Sequence, residues 1–167
     1  ASCLVGSEMC IRDRFMHVSD TQYAASALPD ALPVNDIPLP RRATAGSAGY
    51  DFICPADVTL QPGDAITIAT GIRCEMQPGW VLMLFPRSGL GFKHQVRLAN
   101  TVGVIDSDYA FADNEGHILV MLVNGGDHTV TLQAGDRFCQ GIFLPYGLAE
   151  EEEVTGERSG GFGSTGR

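Results

Sequence analysis

The chain has 167 residues, with 11 Lys and Arg against 20 Asp and Glu, giving a formal net charge of −9. A diffuse basic surface for gripping duplex DNA or an anionic membrane is thereby excluded, and any phosphate bound must be met by a local site. The length suits one domain with tails, 44% apolar residues exclude an acidic disordered chain, and the longest apolar runs, Trp80 to Phe85 and Ile118 to Val123, are too short to span a bilayer.

Residues 1–28 lack the basic region and apolar core of a signal peptide, so the cytoplasm is the expected compartment. Within them Cys3 to Arg14, CLVGSEMCIRDR, resembles a translated sequencing-adapter tag, with a short native extension as the alternative. Either way the stretch from Cys3 to Arg14 is set aside from fold reasoning. The 5 cysteines form an odd count without a CxxC pair, and the 4 histidines show no ligand spacing, which fits a reducing compartment and argues against a disulfide scaffold or structural zinc.

From Val34 onward, short β-prone runs alternate with turns. Val58 to Leu60, Ala65 to Ala69, Gly71 to Met76, Trp80 to Phe85, His117 to Val123, His128 to Gln133 and Phe138 to Leu144 alternate or are wholly apolar. Between them lie Gln61-Pro62-Gly63-Asp64, Gln77-Pro78-Gly79, Asn124-Gly125-Gly126-Asp127 and Gln133-Ala134-Gly135-Asp136, which have the chemistry of tight turns. The pattern predicts an antiparallel sandwich or barrel, with one helical window near Arg87 to Gln95. Val58-Thr59-Leu60-Gln61-Pro62-Gly63-Asp64 and Val130-Thr131-Leu132-Gln133-Ala134-Gly135-Asp136 resemble two copies of one strand-turn signature, although Gly-Asp is also a common way to re-enter a strand. The expected organisation is a head over 1–28, a β domain over 29–145, an acidic linker over 146–157 and a glycine-rich arm over 158–167. Such an arm cannot hold one conformation unaided, because Gly loses the most entropy on ordering.

Three segments carry candidate chemistry. In Pro86-Arg87-Ser88-Gly89-Leu90-Gly91, Arg and Ser beside glycines suit phosphate oxygens, and a plain glycine turn reads equally well. In Asn100-Thr101-Val102-Gly103-Val104-Ile105-Asp106-Ser107-Asp108-Tyr109, an Asp after two apolar residues could orient or deprotonate a water; the alternative is an Asx-type turn. In Ala45-Gly46-Ser47-Ala48-Gly49-Tyr50-Asp51-Phe52, an Asp interrupts a strand-like stretch, where it could assist a metal or a sugar hydroxyl or cap a strand edge.

Together with Gly135-Asp136-Arg137-Phe138-Cys139-Gln140-Gly141 and Arg158-Ser159-Gly160-Gly161-Phe162-Gly163-Ser164-Thr165-Gly166, these segments resemble, in order and separation, the five motifs of the trimeric deoxyuridine triphosphatases (dUTPases) from about Ile37 to Arg167. The resemblance implies an all-β antiparallel jelly-roll barrel or sandwich with a flexible carboxyl-terminal arm, assembled as a homotrimer with shared active sites. It further implies hydrolysis of dUTP with Mg²⁺ to dUMP and pyrophosphate. By resemblance Asp106 activates the water that attacks the α-phosphorus, and Asp51 helps hold the 3′-hydroxyl region or, through water, the metal. Ser88 and Gly89, with Arg87 beside them, match the phosphate loop, and Gln140 lies near the phosphates. Asn100, Gly103, Val104 and Ile105 match the hairpin that reads uracil, and Tyr109 the ring that leaves no room for a 2′-hydroxyl. Arg158 matches the γ-phosphate partner, Phe162 the ring over uracil, and Gly163, Ser164 and Thr165 the rest of the closing arm.

One departure is the segment Ala110-Phe111-Ala112-Asp113-Asn114, which looks like an insertion after Tyr109. Two other readings remain on residues alone. A related dCTP deaminase would need a catalytic Glu, for which Glu115 is the candidate, and a non-catalytic nucleotide-binding module would retain affinity without turnover.

Overall fold

The computed structural model describes residues 13–150, Gly156 and Gly160. Most of the tag-like stretch 3–14, half of the linker and nearly all of the arm lie outside these residues. Among the described residues no helix is long and apolar enough to cross a membrane.

The architecture is an all-β antiparallel jelly roll. In chain order the elements are β1 (Arg14–His17), α1 (Asp20–Ala24), β2 (Arg41–Arg42), β3 (Tyr50–Ile53), β4 (Val58–Leu60), β5 (Ala65–Ala69), β6 (Ile72–Glu75), β7 (Trp80–Pro86), α2 (Ser88–His94), β8 (Val96–Leu98), β9 (Gly103–Ile105), β10 (Leu119–Asn124), β11 (Val130–Leu132) and β12 (Arg137–Pro145). Short 3₁₀ turns cover Val34–Asp36 and Ser107–Phe111. The principal sheet has the order β2-β3-β12-β7-β9, a second has β5-β10-β8, and β1-β6 and β4-β11 form two ribbons. The alternating runs read from the sequence form strands because their apolar positions meet in one core, where Phe52, Leu60, Ile68, Leu82, Leu122 and Phe138 are each at most 1% exposed. The helical window read over Arg87 to Gln95 is α2, closed by Gln95 in the left-handed region at φ 54.

The duplicated signature has a structural meaning. Its two strands pair with each other, Val130 opposite Leu60 and Leu132 opposite Val58. Each following turn closes the same way: the Gln61 N–H donates to Asp64 Oδ2 and the Gln133 N–H to Asp136 Oδ2, both at 2.8 Å. Gly63 and Gly135 take φ of 86 and 97, which glycine adopts without strain.

The head contains structure that its sequence pattern did not signal. β1 pairs with β6, Phe15 packs edge-on against Phe52 with ring centroids 5.6 Å apart, and Val18 and Tyr23 are buried. Ser19 caps α1, accepting from the Gln22 N–H at 3.2 Å. Four residues of β1 show too short a run for periodicity to be legible; packing on the aromatic cluster decides their conformation.

His117 is fully buried, and its Nε2 accepts the Gly71 N–H at 3.0 Å. Burial lowers its pKa from 6.5 to about 4, with the Glu115 charge opposing weakly. The unfolded chain therefore takes up a proton as pH falls through 6.5 while the folded chain does not until about 4. Stability is intact above that window and declines across it, by about 3 kcal/mol in total. Denaturant unfolding of the native protein and His117→Gln at pH 7.5 and pH 5 is expected to show a loss about 2 kcal/mol smaller in the variant; equal losses would remove His117 from the account.

Candidate active site

Cross-strand pairing assembles a polar cluster on the principal sheet. Arg41 stands opposite Asp51, Asp51 opposite Gln140 and Gln140 opposite Phe85, so one row crosses four strands. Asp51 is 4% exposed, and both carboxylate oxygens are engaged: Arg87 Nη1 donates to Oδ1 at 2.6 Å and Arg137 Nη1 to Oδ2 at 3.3 Å. Arg137 reaches Asp51 because β12 carries a bulge between Arg137 and Cys139. Strict alternation would put Arg137 and Gln140 on opposite faces, and the extra residue restores them to one. Arg41, Arg42 and Arg137 line an open cleft of ≈ 730 Å³ beside Asp51. These local cations answer the charge problem posed by a −9 chain.

Gln140 is held by its surroundings. Its Nε2 donates to the Pro86 carbonyl at 3.3 Å, and a Cβ on Gly49 would collide with its side-chain oxygen. Ser88 and Gly89 begin α2 directly after Pro86-Arg87, and the Arg87 N–H donates to the Phe138 carbonyl at 3.3 Å, tying the loop to β12. The first-motif Asp, the glycine loop and the Gln are thus brought together.

A second group forms at the other part of the sheet. The hairpin from β8 to β9 splits between sheets, β8 pairing with β10 and β9 with β7. A pocket of ≈ 290 Å³ opens in this fork, lined by Asn100, Gly103, Val104, Ile105 and Tyr109 against Leu84, Leu98 and Met121. Thr101 turns the hairpin at φ 68, and a Cβ on Gly103 would come to 3.0 Å from Leu84 Cβ, so glycine permits the close approach of β9 to β7. Asp106 follows β9 and is exposed in the single chain; its carbonyl accepts the Tyr109 N–H at 3.1 Å.

The two groups are separated within one chain. Ile105 pairs with Leu82, near the start of β7, whereas Ser88 lies beyond its end. At about 3.3 Å per residue the intervening chain runs up to about 20 Å. Asp106 thus follows the strand paired near the start of β7, and Ser88 follows the end of β7.

Glu115 is committed elsewhere. It accepts from the Ser19 N–H at 2.8 Å and the Ser19 hydroxyl at 2.6 Å, and these bonds hold its carboxyl below the usual range. Arg158, Phe162, Gly163, Ser164 and Thr165 lie outside the described residues. Sequence reasoning left Arg137 without a role although it stands three residues before Gln140; the bulge that turns it toward Asp51 has no sequence signature. Among the described residues no three His, Cys, Asp or Glu side chains form a group that could cage a metal.

Residues 35–166 match the family model described as dUTPase. The deoxyuridine 5'-triphosphate nucleotidohydrolase of Lactococcus lactis is 43% identical over 133 residues, covering 78% of this chain and 89% of its own. The crystal structure of dUTPase from Streptococcus mutans superposes with a TM-score of 0.65 at 38% identity, covering 81% of this chain and 98% of its own. A mutant dUTPase from phage phi11 of S. aureus, whose structure reveals the coordination of a structural Mg(II) ion, shares the fold at TM-score 0.64 and 18% identity over 87% of this chain and 97% of its own.

The Asp51 clamp carries a stability prediction. Asp51→Asn leaves two guanidiniums facing a neutral amide, but Arg87 and Arg137 are 30% and 50% exposed and can turn toward water. The expected cost is about 1–3 kcal/mol in urea unfolding. Arg137→Met, at the longer and more exposed contact, is expected to cost less than about 1 kcal/mol, and the reverse order would contradict the clamp as drawn.

Proposed function

The chain belongs to the dUTPase family and is a dUTP diphosphatase, and on that premise we propose that Asp106 of one subunit meets the Asp51, Arg87, Ser88, Gly89 and Gln140 cluster of another in a homotrimer. The observation that carries this reading is the separation along β7. Two half-sites that cannot meet within a chain can meet across a subunit boundary, and closed rotational symmetry then makes every boundary equivalent.

In the reaction the oxygen of a water attacks the α-phosphorus, Asp106 takes its proton, and the bond from the α-phosphorus to the bridging oxygen of pyrophosphate breaks. Negative charge grows on the departing pyrophosphate, where fixed donors lower the barrier. Ser88 and Gly89 face the phosphates from the loop after Pro86, Gln140 stands beside them, and Arg87 contributes its field while anchored on Asp51. The uracil and deoxyribose occupy the fork pocket, with Asn100, Gly103, Val104 and Ile105 along the base and Tyr109 along the sugar. The backbone of a tight hairpin discriminates by excluding a methyl, which a loosely filled slot does poorly, at about 1–3 kcal/mol. Arg158 and Phe162, with Gly163, Ser164 and Thr165, close over the third side from the arm.

Mg²⁺ fits as an ion carried by the triphosphate. Asp51 keeps lone pairs beyond the two that the arginines occupy, which suits contact through water and not a direct cage, as Mg²⁺ prefers. When bound it offsets phosphate charge. The compartment proposed is the cytoplasm, where Cys54, Cys74 and Cys139 remain buried free thiols. The deaminase reading loses its candidate, since the Glu115 carboxylate is taken by Ser19.

A coupled pyrophosphate assay across dUTP, dTTP, UTP and dCTP is expected to show turnover of dUTP far above the others. Asp106→Asn is expected to retain dUTP affinity while kcat falls at least about 10²-fold. Mixing Asp106→Asn subunits with Ser88→Ala/Gln140→Ala subunits is expected to restore part of the activity that neither has alone, because some boundaries then join two intact halves. Absence of any recovery in verified mixed oligomers would place the whole site in one chain and defeat the proposal.

A further inference from the structure

The segment inserted after Tyr109 is built around the phenol of that residue. Tyr109 is 7% exposed; its hydroxyl donates to the His117 carbonyl at 2.8 Å and accepts from Asn114 Nδ2 at 2.8 Å. The Asn114 amide orientation is set independently, because its Oδ1 accepts the Gly116 N–H at 3.1 Å, leaving Nδ2 for the phenol. The segment closes tightly on itself. Gly116 sits at φ 71, and a Cβ there would come to 2.6 Å from Ala110 Cα and 2.7 Å from the Tyr109 carbonyl oxygen. Ala110 and Ala112 are buried.

Two bolts fasten this unit to parts of the chain that lie outside the fork pocket. Arg73 Nη2 donates to the Ala110 carbonyl at 2.7 Å, and the Glu115 carboxylate receives both Ser19 donors at the start of α1. The head and the insertion therefore grip each other and hold Tyr109 between the Asp106 turn and the pocket wall. With its hydroxyl bonded to His117 and Asn114, Tyr109 offers the pocket its ring.

We infer that Asn114 is a positioning residue that fixes the Tyr109 ring in the pocket wall and thereby sets discrimination between deoxyribonucleotide and ribonucleotide triphosphates. This rests on the reading that Tyr109 lies along the sugar. A ring excludes a 2′-hydroxyl only if it cannot yield, and a side chain anchored at its far end by two hydrogen bonds yields less than one anchored by one.

The test compares kcat/KM for dUTP and UTP, with thermal melts, in Asn114→Ala, Tyr109→Phe and the double variant. Asn114→Ala is expected to lower the dUTP to UTP ratio about tenfold, the worth of one ordinary hydrogen bond, chiefly through better use of UTP. Tyr109→Phe, which removes both hydrogen bonds of the hydroxyl, is expected to lower the ratio at least as far, and the double variant to be no worse than Tyr109→Phe, since the Asn114 contact is already lost with the hydroxyl. A purely structural Asn114 would lower the melting temperature and leave the ratio alone, which overturns the inference. Tyr109→Leu separates the two layers of the argument. If it abolishes discrimination while Asn114→Ala does not, the positioning role fails and the sugar reading stands; if neither moves the ratio, the sugar reading fails and the inference with it.

Discussion

The architecture depends on β7 pairing on both edges, with β12 along one side and β9 along the other. A strand has length, and groups hung at its two ends are kept apart by about 3.3 Å for every residue between them. The cluster around Asp51 and Gln140 gathers where β7 runs out at Pro86, and the fork pocket opens where β9 pairs with it. The proposed sharing of each site between subunits rests on this feature of the strand geometry.

Electrostatics divides along the same line. The chain is strongly acidic overall, yet Arg87 and Arg137 converge on one buried carboxylate, with Arg41 and Arg42 lining the cleft beside it. Asp51 orders two of these cations, Arg87 and Arg137, and neutralises part of their charge in doing so. Burial governs the thiols as well: it pushes Cys74 up to about 12 and Cys54 up to about 11, so both act as apolar filler.

The segment after Tyr109 is tied to the head and to β6: Glu115 accepts from Ser19, the cap of α1, and Arg73 donates to the Ala110 carbonyl. The segment closes on itself through the Tyr109 hydroxyl and the His117 carbonyl.

Alternating apolar runs and glycine turns were enough to predict an antiparallel β domain and most of its strands, because a period of two is a local property that burial on one face enforces. The one helix read there, over Arg87 to Gln95, also formed. The ordered motifs named the chemistry, since residue type and separation survive translation into any conformation. Three features were decided only by tertiary structure. The bulge at Phe138 turned Arg137 toward Asp51, and no local pattern marks a bulge. β1 formed because Phe15 found Phe52, a contact between residues far apart in the chain. Glu115 became the partner of Ser19 and not a catalytic acid, because a carboxylate's role follows from the donors that folding brings to it, and those donors came from 96 residues away.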